Sequence, residues 1–104
     1  MPSKKLFKDN GLSNVKFFKS NRKDKKYRVE FVFKDKVHKV NFGQLGFQHF
    51  KDRTPLKLYK SLDHNDKDRR ERYRKRHSGI RNKQNQLVFK LVTSPSFWSW
   101  NMLW

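Results

Sequence analysis

Residues 64–77, His-Asn-Asp-Lys-Asp-Arg-Arg-Glu-Arg-Tyr-Arg-Lys-Arg-His, concentrate the groups of this chain with chemistry to offer. Lys67, Arg69, Arg70, Arg72, Arg74, Lys75 and Arg76 stand against Asp66, Asp68 and Glu71, a surplus of four positive charges. That chemistry is electrostatic: such a cluster neutralises phosphate or carboxylate and marks a polyanion site. The alternative is a solvated helix laced by pairs such as Asp68 to Arg72 and Glu71 to Lys75, which accounts for the acids and not for the surplus. Lys23, Lys25 and Lys26 form a second cluster, expected at a hairpin tip as a second contact. Reactive chemistry finds less support. His64 and His77 lie 13 residues apart, more than three helical turns, too far for one metal ion. His38 and His49 have no carboxylate–His–nucleophile pattern around them. Asp63, Asp66 and Asp68 resemble half of a calcium loop without its Gly and terminal Glu. The expectation is a non-enzyme with no metal, no cofactor and no small-molecule substrate.

Holding these cations in line requires a helix, and the charge order predicts one. Acids occupy its first turn and bases its body, as the helix macrodipole favours. Asn65 or Asp63 is the expected N-cap, and Ser78-Gly79 the expected left-handed stop. Tyr73 is its single large apolar body, so little stripe is left to fix it to a core. Arg69, Arg72 and Arg76 share one face, with Arg70 and Arg74 beside it.

Upstream, period-two alternation predicts strands at Val15–Lys19, Tyr27–Phe33 and Val37–Phe42, joined by turns at residues 20–26 and 34–36. Tyr27, Val29, Phe31 and Phe33 point one way and Arg28 and Glu30 the other; His38, Val40 and Phe42 oppose Lys39 and Asn41. The result is an antiparallel meander with one aromatic and one cationic face. Gly43–Gly46 reads as a turn and not a phosphate loop, since the Gly-Lys-Ser/Thr ending is missing. Phe47 and Phe50 are expected to pack under the sheet, and Leu56–Tyr59 to link amphipathically to the basic helix. Leu87–Val92 reads as a buried strand. Ser94-Pro95 opens a short helix carrying Phe97, Trp98, Trp100 and Trp104. That end either closes the domain's own core or anchors into a partner, Trp being enriched at interface hot spots.

The fold class expected is therefore α+β: a small antiparallel β-meander, a basic helix and a short Trp-rich C-terminal helix. Residues 1–13 are expected to form a basic arm and residues 14–104 one small domain. At 104 residues the core is thin. The net charge of +18 divides as +9 in each half, so it is no detachable tail, and self-repulsion of that size favours a bound state. Aromatic residues at 15% argue against a disordered basic segment. The absence of Cys excludes disulfides and thiolate sites. With no apolar run of about 20 residues and no signal-like start, no membrane span is expected, and synthesis in the cytosol is.

Several separated motifs carry a resemblance. Residues 20–27 (Ser-Asn-Arg-Lys-Asp-Lys-Lys-Tyr), 40–43 (Val-Asn-Phe-Gly), 50–54 (Phe-Lys-Asp-Arg-Thr), the 64–77 helix and 96–104 (Ser-Phe-Trp-Ser-Trp-Asn-Met-Leu-Trp) follow one another as in a family of short basic proteins. The chain resembles that family, encoded by large nucleocytoplasmic DNA viruses of algae, amoebae and related hosts, from about residue 15 onward. It departs from the pattern at Pro55–Asp63, which intervene before the helix, at Asn101 where a base is usual, and between His77 and Ser94. The resemblance implies a viral setting: the virion, and the host cytoplasm during assembly. Two functions follow. The first is a virion structural protein, a minor capsid or cement component on the inner capsid surface. There Phe97, Trp98, Trp100 and Trp104 anchor it to other virion proteins, the major capsid protein foremost, and Lys and Arg meet acidic surface or genome. The second is sequence-independent nucleic-acid binding and genome condensation through Lys23, Lys25, Lys26, Arg69, Arg70, Arg72, Arg74, Lys75 and Arg76.

Overall fold

The structure, a computed structural model, describes residues 3–104. Strands β1 (Leu12–Lys19), β2 (Lys25–Phe33) and β3 (Lys36–Gln44) form one antiparallel sheet in the order β1-β2-β3. With them stand helices α1 (Ser3–Asp9), α2 (Lys67–His77) and α3 (Pro95–Met102). This is the expected α+β architecture, with the basic and Trp-rich helices where the sequence puts them.

Alternation builds the sheet. Tyr27, Val29 and Phe31 of β2 are buried, and register places Val29 between Phe17 of β1 and Val40 of β3. Between β2 and β3 the loop is only Lys34-Asp35, both residues with positive φ, the two-residue geometry whose twist suits a hairpin. β1 starts three residues before the expected Val15. A register skip between Ser13 and Lys16, with Asn14 at φ 52°, hides that start from a period-two pattern. On the opposite face Arg28 pairs with Glu30 at 3.0 Å and lies over the Phe18 ring, among the charged residues expected there.

The aromatic face is closed by Trp98 of α3. Its ring centroid lies 5.2 Å from Phe31, 5.7 Å from Phe7, 5.9 Å from Phe17 and 5.1 Å from Phe97, and its Nε1 donates to Val92 O at 2.7 Å. Ser94 caps α3 through its side chain and Pro95 sits at the first helical position, as expected.

The stretch read as a basic arm, 1–13, holds α1 and the first residues of β1; Leu6 and Phe7 pack against the core, because one apolar pair suffices to seat a short helix on an aromatic layer. Residues 1 and 2 lie outside the described residues. Leu87–Val92 is not a strand. Val88–Lys90 forms a 3-10 turn in which the amides of Lys90 and Leu91 bond to Leu87 O and Val88 O while that of Val88 reaches back to Ile80 O, Phe89 stacks on Trp100 at 4.4 Å, and of the six only Val92 is buried. Phe47, expected under the sheet, is 60% exposed, whereas Phe50 is buried.

Candidate functional site

The body of α2 leans on the C-terminal residues through a column of rings. Tyr73 stacks on Trp104 at 4.2 Å with planes 4° apart and on His77 at 4.0 Å. The Arg74 guanidinium Nη2 donates to Trp104 O at 2.9 Å. One tyrosine thus does the work of an apolar stripe, and burial pushes its hydroxyl pKa up to about 12. Asp66, and neither Asn65 nor Asp63, caps the helix: Asn65 is left-handed at φ 54°, and Asp66 accepts from the amides of Asp68 and Arg69. The end also differs from expectation, with Ser78 in helical conformation closing on Arg74 O and Gly79 outside the positive-φ residues.

Beside that column lies an open cleft of about 440 Å³. Lys25 and Gln44 at the sheet end, Phe47 and Gln48 in the next loop, and Arg69 and Arg76 of α2 line it, with Tyr73, His77 and Trp104 as an aromatic wall. No Asp or Glu lines it. Arg69 Nη1 is steadied by Gln48 Oε1 at 2.9 Å. Burial first and the Arg76 charge second hold His77 below its ordinary pKa, so at neutral pH it is an uncharged ring. Cations at the edges, rings in the wall and no acid among the lining residues suit an elongated anion with flat substituents.

Beneath the cleft is a buried polar chain. Lys26 Nζ donates to Phe47 O at 2.6 Å and to His49 Nδ1 at 2.9 Å; His49 Nε2 meets Asp63 Oδ1 at 2.6 Å. Asp63 Oδ1 also accepts the Asp52 amide. Asp52 in turn accepts from the Tyr27 hydroxyl and from the amides of Thr54 and Tyr59. These bonds define His49 as the neutral Nε2–H tautomer, accepting at Nδ1. Gly43 makes room for the chain: at φ 78° it lets Leu103 lie where a Cβ would come within 2.8 Å of Leu103 Cδ1 and 3.2 Å of Lys26 Cβ. The network ties loop 47–63 to the sheet, and both acceptors of the Lys26 ammonium belong to that loop.

Of the residues expected to meet a polyanion, Lys25, Arg69 and Arg76 line the cleft, and Arg72 and Lys75 are exposed farther round α2. Lys23 is exposed in the β1–β2 turn. Lys26 is a correction: it touches the cleft but is 1% exposed and spent on the network, because the loop carrying Phe47 and His49 covers it. Arg70 and Arg74 are half-buried against the body, Arg70 lying 4.4 Å over the Phe50 ring and Arg74 5.1 Å over Trp100. Phe97 and Trp98, expected to anchor a partner, are corrected too: both are buried in the chain's own core. Trp100 and Trp104 are half-buried, stacked on Phe89 and Tyr73. Sequence reasoning missed Phe47, Gln48 and His77 as lining residues; the basic character of α2 was the only signal that pointed there. Among the described residues no group of His, Cys, Asp and Glu is placed to hold a metal ion, and no helix is long and apolar enough to cross a membrane. No protein-family model, curated protein or solved structure matches this chain.

The buried chain predicts a two-step stability profile. Desolvation lowers the Lys26 pKa from 10.5 to about 8 against the pull of Asp52 and Asp63, and burial and then the Lys26 charge lower that of His49 from 6.5. In both cases the unfolded chain holds the proton more tightly, so stability rises with pH. It should fall as pH drops below 6.5, where His49 must charge, and rise again between about 8 and 10.5 as Lys26 discharges. Thermal midpoints at pH 5, 7 and 10 check this; Lys26→Met should flatten the alkaline step relative to wild type, separating it from the general relief of surface repulsion.

Proposed function

We propose that this protein binds nucleic acid without sequence preference, holding the backbone with Lys25, Arg69 and Arg76 along the cleft and with Arg72 and Lys75 on the outer side of α2. The observation that carries this reading is a cleft lined by Lys25, Arg69 and Arg76 and by no Asp or Glu, in a chain of net charge +18. Arginine and lysine side chains neutralise phosphates and release condensed counterions, so affinity should fall by about 0.9 log units per log unit of salt for each phosphate contacted. None of these residues sits in a motif that reads base edges, so discrimination between sequences should be small.

Fluorescence anisotropy with unrelated duplexes across a salt series tests it. The double variant Arg69→Gln/Arg76→Gln should bind more weakly and lower the slope by about 2. No binding at low salt, or a slope unchanged in the double variant, would remove the proposal.

The resemblance carries a second proposal, that this chemistry serves in a virion as a minor capsid or cement component. With Phe97 and Trp98 inside the core, an apolar contact with a capsid neighbour falls instead to exposed residues such as Leu56 (39%) and Leu58 (51%). Its abundance in particles before and after genome release separates the two: fixed stoichiometry with the empty shell favours the capsid role, and loss with the genome favours nucleic acid alone.

A further inference from the structure

Three arginines outside the cleft share a second neighbourhood. Arg53 and Arg70 both lie over the Phe50 ring, at 5.9 Å and 4.4 Å from its centroid, and Arg74, one turn beyond Arg70 on α2, lies over Trp100. All three are half-buried, and none lines the cleft. Each guanidinium lies over an aromatic ring.

The acids that would ordinarily pair with them are committed elsewhere. Asp52, next to Arg53 in sequence, is fully buried and turned into the bonds with Tyr27, Thr54 and Tyr59. Asp63 holds His49 and the Asp52 amide, and Asp66 caps α2. The ion pairs among the described residues are Arg22–Asp24 and Arg28–Glu30, and Asp63 accepts from the neutral His49, so no Asp or Glu is paired with these arginines. Arg74 spends one nitrogen on Trp104 O, and its buried Nε has no partner. The cluster is frustrated as it stands: burial and mutual repulsion hold Arg53 and Arg74 below the ordinary arginine range. Like charges gathered with no Asp or Glu paired to them are relieved by an anion, and the planar fork of arginine matches a tetrahedral oxyanion through paired N–H groups.

We propose that Arg53, Arg70 and Arg74 form an oxyanion site for a phosphoryl group, seated against Phe50 and Trp100. It stands independently of the cleft. Two sources supply that chemistry, the diester of a nucleic-acid backbone and a monoester such as a terminal phosphate.

Phosphorus NMR titrations of the full chain with methyl phosphate and with dimethyl phosphate, at constant ionic strength, test the site. A saturable resonance shift is expected with at least one of them, weakened about tenfold or more in Arg53→Gln and unchanged in Lys83→Gln, an exposed position outside both sites. Saturation with both identifies a backbone phosphate as the natural occupant; saturation with the monoester alone identifies a terminal phosphate. Inorganic phosphate should also raise the thermal midpoint by about 5 °C over chloride at matched ionic strength. Should Arg53→Gln not fold, Arg70→Lys keeps the charge, removes the fork and is expected to weaken binding to a similar extent. Non-saturable shifts with both esters, equal stabilisation by chloride, or wild-type affinity in the folded variant overturns the proposal.

Discussion

Trp98→Ala is expected to abolish the cooperative unfolding transition of this protein near physiological temperature. The ring is fully buried among Phe7, Phe17, Phe31 and Phe97, and its Nε1 donates to Val92 O. Removing a buried indole costs about 3–5 kcal/mol, from lost transfer energy, the cavity left behind and, here, a carbonyl without its donor. A small domain has about 5–15 kcal/mol in all, and self-repulsion at +18 places this one toward the lower end. Circular dichroism against temperature and urea measures the loss. Trp100→Ala is the control: that ring is half-buried on Phe89, so a loss of about 1–2 kcal/mol with a cooperative transition retained is expected. Equal losses in the two variants would refute the assignment of Trp98 as the element that closes the core.

A second large effect is expected at Asp52. Asp52→Ala leaves the Tyr27 hydroxyl, the Thr54 amide and hydroxyl and the Tyr59 amide without their acceptor in a buried place. Tyr27 is itself fully buried, and burial, then its bond to Asp52, raises its pKa above the ordinary tyrosine value. Removing one partner of a buried polar network costs about 3–5 kcal/mol, while a substitution that keeps an acceptor costs less. Asp52→Asn should therefore lose about half as much as Asp52→Ala in urea denaturation. Tyr27→Phe/Asp52→Ala should be less destabilised than the two single losses added together, because the shared bond is removed only once. Strict additivity would show that the network is not a unit.

Much of the architecture was legible because it depends on local signals. Alternation from Tyr27 to Phe33 and from Val37 to Phe42 predicted two strands within a few residues of their ends. Ser94-Pro95 gave the start of α3, and the charge order gave the body of α2. What was not legible depends on contacts distant in sequence. Lys26 looks like its exposed neighbour Lys23, and only the approach of His49 and Phe47 makes it an interior cation. Leu87–Val92 has strand composition, but Phe89 is used singly against Trp100 of α3, and the amides of Lys90 and Leu91 are satisfied within the turn and not by a neighbouring strand. The basic helix was identified as the polyanion element, whereas the division of its arginines between cleft and body follows from where Tyr73 meets Trp104. Asp52 and Asp63 carried no signal as partners of Tyr27 and His49, since nothing in composition or spacing links them.

The layer that covers the sheet comes from residues 92–103, while the strands it covers are finished by Gln44. A ribosome making the chain at about 5–20 residues per second therefore exposes a complete hairpin pair for about 3–11 s before Trp98 emerges to shield it. Throughout that interval Tyr27, Phe31 and Phe42 are bare, and the lysines along the strands are what keeps one nascent polypeptide from adhering to the next. The positive charge would then serve the molecule during its manufacture, before any ligand is met.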